Sequence, residues 1–154
     1  MHILIADDDH ACLMTLRFML EHLGHTVKEA SNGQELLDAF TRASREHDAV
    51  IADCMMPAMN GLEAIREIKK ISKIPCVILT ALDHGTTIFD SNGKYVAWTN
   101  ADFYLGKPLT ICALKETVRN IHETHARTIS PRSRRASGRT RAVGQVRHNT
   151  GVHS

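Results

Sequence analysis

Residues 48–65 read DAVIADCMMPAMNGLEAI, and this stretch shows the plan on which the rest of the chain is built. An apolar run, Ala49 to Ala52, stops on Asp53; a turn at Asn60-Gly61 follows, after which Leu62, Ile65 and Ile68 recur at intervals of three. Apolarity at every position, and not at alternate ones, predicts a strand buried on both faces, and the spacing after it predicts a helix with one buried side. The unit is strand, loop, helix.

Two further runs have the same character. Ile3 to Ala6 ends on Asp7, Asp8 and Asp9, and Cys76 to Leu79, opened by Pro75, ends on Thr80. Between the first two runs Leu13, Leu16, Leu20 and Leu23 mark a helix, with Gly24 where a helix C-terminus favours glycine. Thr26 to Ala30 then predicts a strand, Ser31-Asn32-Gly33 a turn and cap, and Gln34 to about Arg45 a second helix. A last strand near Asp102 to Leu105 precedes a helix whose buried side is expected to be Ile111, Leu114, Val118 and Ile121. The fourth helix is the weak member, because His84 to Trp98 contains Gly85, Thr86-Thr87 and Asn92-Gly93; it is expected to be short or broken. Five such units joined by right-handed crossovers predict an α/β fold with an open, doubly wound sheet of five parallel strands.

A chain of 154 residues suits one domain, and its 43% hydrophobic and 23% charged residues are those of a soluble globular protein. No apolar stretch is long enough to span a bilayer, and the N-terminus lacks the features of a secretory signal, so a cytoplasmic protein with no membrane partner is expected. Cys12, Cys54, Cys76 and Cys112 form no CxxC pair and each lies in an apolar stretch, which predicts buried thiols and neither disulfides nor zinc. Charge is divided unevenly. Residues 1–124 hold all 17 acids against 12 Lys and Arg, whereas 125–154 hold 7 Arg and no acid. A folded domain over 1–124 and a basic, disordered tail over 125–154 are the expected organisation.

Ligands of an open parallel sheet bind beyond the carboxyl ends of its strands. There the sequence places Asp7 and Asp8, Asp53, Thr80, and Lys107 with Pro108 behind it. Three carboxylates brought together repel one another, and a divalent cation relieves the repulsion; oxygen-only ligands at a sparse site favour Mg²⁺. A carboxylate beside such an ion can attack a phosphoryl donor in line and form an acyl phosphate, with Lys107 balancing the charge and the Thr80 hydroxyl holding an oxygen. Asp9 is expected to cap the first helix, and the ten histidines, His10 included, to be mostly surface residues.

These stretches, ILIADDD (3–9), DAVIADCMMPAMNGLEAI (48–65), VILTA (77–81) and ADFYLGKPL (101–109), together resemble the receiver domain of two-component response regulators over residues 1 to about 124. The resemblance implies a flavodoxin-like strand order, 2-1-3-4-5. It implies Asp53 as phosphoacceptor, with metal ligands from Asp8, from Asp7 directly or through water, from Asp53 and from the Met55 backbone carbonyl. Thr80 becomes the switch hydroxyl, and Tyr104 the aromatic that turns inward when Thr80 moves. A histidine kinase or phosphotransfer protein would supply the phosphate and a downstream protein would read the result. The chain departs from the pattern in the length of Asp83 to Asn100 and in Asn100, where a glycine commonly stands. It also departs in Met55 and Leu82, apolar where side chains can orient an attacking water, which implies a long-lived acyl phosphate.

Two other functions compete. The Arg-rich 125–154 segment could bind nucleic acid directly, although no helix-turn-helix or zinc finger follows the domain. A Mg²⁺-dependent phosphatase of the haloacid dehalogenase type also forms an aspartyl phosphate, but wants a second Asp where Met55 stands.

Overall fold

In the computed structural model of the protein, the described residues are 1–83 and 86–129, with positions 99, 128 and 129 described by their backbone alone. Residues 130–154 lie outside them, and with them the disorder expected of the tail. The elements follow as β1 (His2–Ala6), α1 (His10–His22), β2 (Thr26–Ala30), α2 (Gly33–Arg42), β3 (Ala49–Asp53), α3 (Gly61–Ile71), β4 (Cys76–Thr80), β5 (Phe103–Gly106) and α4 (Ile111–Ile129). The five strands form one parallel sheet in the order 2-1-3-4-5.

Successive strand residues face opposite sides of a sheet, so a strand covered on both sides must be apolar throughout. β1, β3 and β4 divide their side chains accordingly. Leu4, Ala6, Val50, Ala52 and Ile78 pack with Leu36, Phe40, Leu62, Ile65 and Ile68 of α2 and α3. Ile3, Ile5, Ile51, Val77 and Leu79 pack with Leu13, Leu16 and Leu20 of α1 and with Leu114, Val118 and Ile121 of α4. Helices α1, α2 and α3 each begin on a side-chain cap: Asp9 accepts from the backbone of Ala11 and Cys12, Asn32 from Glu35, and Asn60 from Glu63. After α1, Gly24 takes φ +86, a left-handed conformation that glycine adopts without strain.

The structure corrects the sequence reading in four places. Among the described residues between β4 and β5 there is no α-helix, so the described residues hold four α-helices and not five. Phe89 instead bridges antiparallel to Tyr95, closed by a turn in which Gly93 has φ +74, and a single 3-10 turn occupies Trp98–Asn100. The backbone groups that a helix would have paired are met by Asp90, whose carboxylate accepts from the N–H groups of Asn92 and Lys94. Second, Ile111 is exposed, because it opens α4 at the rim of the sheet; the buried stripe is Leu114, Thr117, Val118 and Ile121. Third, α4 runs to Ile129, so residues 125–129 are helical, with no glycine or proline between Ile111 and Ile129 to break it. Fourth, Cys112 is exposed and Cys12 half-buried, while Cys54 and Cys76 are buried.

Candidate functional site

Strand register brings the candidate residues together. Ala6 pairs with Ala52, Asp53 with Leu79 and Thr80 with Gly106, so Asp7, Asp53, Thr80 and Lys107 leave neighbouring strands within one residue of a common line. Backbone hydrogen bonds lock this rim: the Asp7 N–H donates to the Ala30 carbonyl at 3.3 Å, Cys54 to Leu79 at 2.8 Å, and Lys107 to Thr80 at 2.9 Å. Strand order reverses at β1 and β3, and the crevice this opens is where ligands of doubly wound sheets bind.

One carboxylate oxygen each from Asp7, Asp8 and Asp53 lie within 4.8 Å of one another, and this is the one cluster of potential metal ligands among the described residues. Asp7 and Asp53 are buried and Asp8 is exposed. The Lys107 ammonium sits between the two buried members, 3.0 Å from Asp7 and 2.8 Å from Asp53. His10, at the start of α1, is exposed and outside the cluster. Met55 follows Asp53 by two residues in the next loop, with its side chain exposed. The Lys107–Pro108 peptide is cis.

Burial pushes the Asp53 carboxyl above its ordinary range; the Lys107 hydrogen bond pulls it down, and the charges of Asp7 and Asp8 push it up again. Burial alone would lower the Lys107 ammonium, yet its hydrogen bonds to Asp53 and Asp7 together outweigh this and hold it above the ordinary lysine value. The pair attracts, and the other carboxylates spoil the bargain for Asp53. Three carboxylates and one ammonium leave an excess of two negative charges in a pocket of oxygen donors. That donor set and that charge fit a hard divalent cation.

Thr80 and Tyr104 have further partners on the α2 and α3 side of the sheet. Strand alternation points Ile78, Thr80 and Tyr104 toward α2 and α3, opposite to Ile51, Asp53 and Leu105. The Thr80 hydroxyl accepts from the Leu82 N–H at 2.9 Å and touches the Cys54 thiol, which burial raises to about 11. Tyr104 is packed inward, its ring 5.9 Å from that of Trp98. The structure therefore gathers Asp7, Asp8, Asp53 and Lys107 into one group, and Thr80, Cys54 and Tyr104 into another behind it.

Sequence reasoning read Gly61 as a turn residue and missed its close approach to Asp53. A Cβ there would lie 2.1 Å from the Asp53 carbonyl oxygen, so only glycine lets α3 start against the strand end. It also missed a cleft of about 370 Å³ beside the cluster, lined by Asp7, Cys12, Leu16, Leu79, Lys107 and Leu109. No single residue signals that cleft; it arises from the distance between α1 and the turn after β5.

Comparison with known proteins gives one consistent result. A family model described as response regulator receiver domain matches residues 3–119. Response regulator MprA of Mycolicibacterium vanbaalenii is 38% identical over 112 residues, covering 71% of this chain and 45% of that protein. A protein named "Probable transcriptional regulator ycf27" from Cyanidium caldarium is 36% identical over 121 residues, covering 78% and 45%. The chain thus spans about half the length of these relatives. Among solved structures, a response regulator receiver domain protein of Clostridium thermocellum superposes with a TM-score of 0.70 at 31% identity, over 83% of this chain and 98% of that one. The response regulator TrrA of Thermotoga maritima, determined in complex with Mg²⁺ and BeF, gives 0.67 at 33% identity, over 78% and 97%.

Proposed function

The chain belongs to the response regulator receiver domain family, and from that premise we propose that Asp53 is its phosphoacceptor in a two-component phosphorelay. The observation that carries this is the Asp53 carboxylate, gripped at 2.8 Å by Lys107 and clustered with Asp7 and Asp8. In this reading Asp7, Asp8, Asp53 and the Met55 carbonyl would hold a Mg²⁺ ion, which would supply positive charge to offset the carboxylates and the phosphate.

The donor is a phosphohistidine of a histidine kinase or phosphotransfer protein. An Asp53 carboxylate oxygen attacks its phosphorus, the new O–P bond forms as the N–P bond breaks, and the imidazole leaves with the electron pair. Lys107, already against the acceptor, follows the charge onto the phosphoryl group. Thr80 must exchange its bond from the Leu82 N–H to reach a phosphoryl oxygen, and the space it leaves beside Cys54 lies on the side to which Tyr104 is packed. The chain would so catalyse only its own phosphorylation and dephosphorylation, and a downstream protein would read the altered surface.

The test is incubation with acetyl phosphate and Mg²⁺ followed by intact-mass measurement. Wild type should gain one phosphoryl mass and Asp53→Ala none; an unmodified wild type or a labelled mutant would overturn the assignment.

A second reading concerns output. Seven arginines without an acid over 125–154 favour contact with nucleic acid by phosphate neutralisation. DNA binding that weakens with salt and disappears on removal of residues 130–154 would support it, and retention after removal would exclude it.

A further inference from the structure

At the amino ends of the strands, opposite to the Asp53 cluster, the chain surrounds two neighbouring cavities. The lining of one, about 460 Å³ in volume, includes His2, Lys28, Arg45, Glu46, His47 and Asp48. The lining of the other, about 270 Å³, includes Ser44, His47, Ser72, Lys73, Asp102 and His125. His47 belongs to both, so β2, the loops that precede β3 and β4, and the last turns of α4 make one continuous face. Lys28, Arg45 and Lys73 are exposed on this face, and among the described residues none of them takes part in an ion pair. The acids beside them are mostly occupied. Asp48 accepts from the His2 N–H at 2.7 Å and Asp102 is paired with Lys69 at 2.5 Å, which leaves Glu46.

Helix α4 brings the Arg-rich part of the chain to the same face. Thr124 and His125 line the second cavity, Arg127 is exposed just beyond them, and the remaining arginines of 125–154 follow with no acid among them. The rest of the chain is acidic, with 17 acids against 12 Lys and Arg over residues 1–124, so most of its surface repels a polyanion. An approach from the amino ends of the strands meets unpaired cations instead, and keeps Asp7, Asp8 and Asp53 on the far side.

We propose that this face and the Arg-rich segment together form one binding surface for duplex DNA, with Lys28, Arg45 and Lys73 as the folded domain's contacts to backbone phosphates. The proposal rests on the reading of 125–154 as a nucleic-acid contact and gives the domain a share in it. Duplex DNA fits this surface better than an acidic protein does. Its charges repeat along a rigid rod, one per about 1.7 Å of axis, so cations spread over several loops and a run of arginines all meet phosphate. Contacts of this kind hold the duplex by its backbone and carry no sequence information. Three of them alone are too few to hold a duplex at physiological salt, so the face acts with the segment and not in place of it.

The experiment is fluorescence anisotropy of a labelled duplex titrated with the full chain at increasing salt. Each phosphate contact contributes about 0.9 to the steepness of log affinity against log salt. The full-length triple variant Lys28→Ala, Arg45→Ala and Lys73→Ala should therefore lose about 2 to 3 of that slope and bind about tenfold or more weakly at low salt. These side chains are exposed and unpaired, so its melting temperature should match that of wild type. The control, Lys94→Ala with Lys115→Ala, removes two exposed lysines that line neither cavity and should change the slope by less than about one. A triple variant with the wild-type slope would overturn the proposal and leave the segment as the sole contact. An equal loss in the control would overturn it too, since net charge would then suffice. Poly-glutamate that displaces the duplex at equal charge concentration would overturn duplex DNA as the partner. A wild type that binds no duplex would overturn the nucleic-acid reading of 125–154 and the proposal with it.

Discussion

Asp53 and Lys107 are both held above their ordinary titration ranges, and the reasons differ. Lys107 is favoured as a cation by two carboxylates, whereas Asp53 is disfavoured as an anion by burial and by Asp7 and Asp8. An acid with a raised folded-state pKa contributes stability that is complete below the ordinary carboxylate range and lost as pH rises through the raised value. Without metal, ionised Asp53 therefore burdens the fold at neutral pH. Asp53→Asn, measured by thermal melting in chelator at pH 7, should be more stable than wild type by on the order of 1 kcal/mol. That gap should close as pH falls below the carboxylate range, and a gap independent of pH would contradict the account. A second consequence lies at Met55 and Leu82, the first with its side chain in solvent and the second packed against the core. Neither offers a base to an attacking water, so label on Asp53 should persist for minutes or longer at neutral pH, and Met55→Asn should shorten it severalfold. Loss of label from wild type within seconds would reject this.

The element that differs most from its expectation is the fourth connection, and its stability should depend on acid. The backbone hydrogen bond from Lys94 lowers the Asp90 carboxyl, burial pushes it back up, and the Arg66 and Asn92 bonds lower it again, so that the net pKa is below the ordinary carboxylate value. A lowered folded-state pKa contributes stability that is present above the ordinary carboxylate range and lost as pH falls through the folded value. The hairpin should accordingly loosen in acid before the sheet does. Trp98 reports this, being the only tryptophan and packed beneath the segment. Its fluorescence in wild type should shift to the red below about pH 4, the ordinary carboxylate value, and Asp90→Ala should show the shifted spectrum at neutral pH while far-UV circular dichroism is nearly unchanged. The sequence carried half of this element. Asn92-Gly93 and Thr86-Thr87 argued against a helix interior, and correctly, because local turn chemistry is local. That Glu63, an ordinary exposed-looking residue of an amphipathic helix, would bury its carboxylate against Ser91 was illegible, since the contact joins residues 28 apart in sequence.

At the scale of the whole molecule, legibility follows the range of the interaction. Apolar runs on β1, β3 and β4 gave the two-layer cover, and the caps at Asp9 and Asn32 and the turn at Asn60-Gly61 gave the helix starts, because burial, capping and turns leave marks on adjacent residues. The rim of Asp7, Asp8, Asp53 and Lys107 was legible because parallel strands deliver their last residues to one edge. Ile111 misled, since a three-residue spacing cannot tell the core layer from the rim above it. The same rim couples the site to the stability of the entire domain, since anything that binds the folded cluster and not the unfolded chain shifts the global equilibrium by RT ln(1 + [L]/Kd). With Mg²⁺ at a hundredfold excess over its Kd this amounts to about 2.7 kcal/mol, a rise in melting temperature of roughly 10 °C for a domain of this size. Asp8→Asn removes a carboxylate from an exposed position, so it should leave the metal-free melting temperature nearly unchanged while abolishing most of the rise. Ca²⁺, which seeks more ligands than this sparse set offers, should stabilise less than Mg²⁺ at equal concentration. Equal stabilisation of wild type and Asp8→Asn by Mg²⁺ would show that the ion acts elsewhere on the surface.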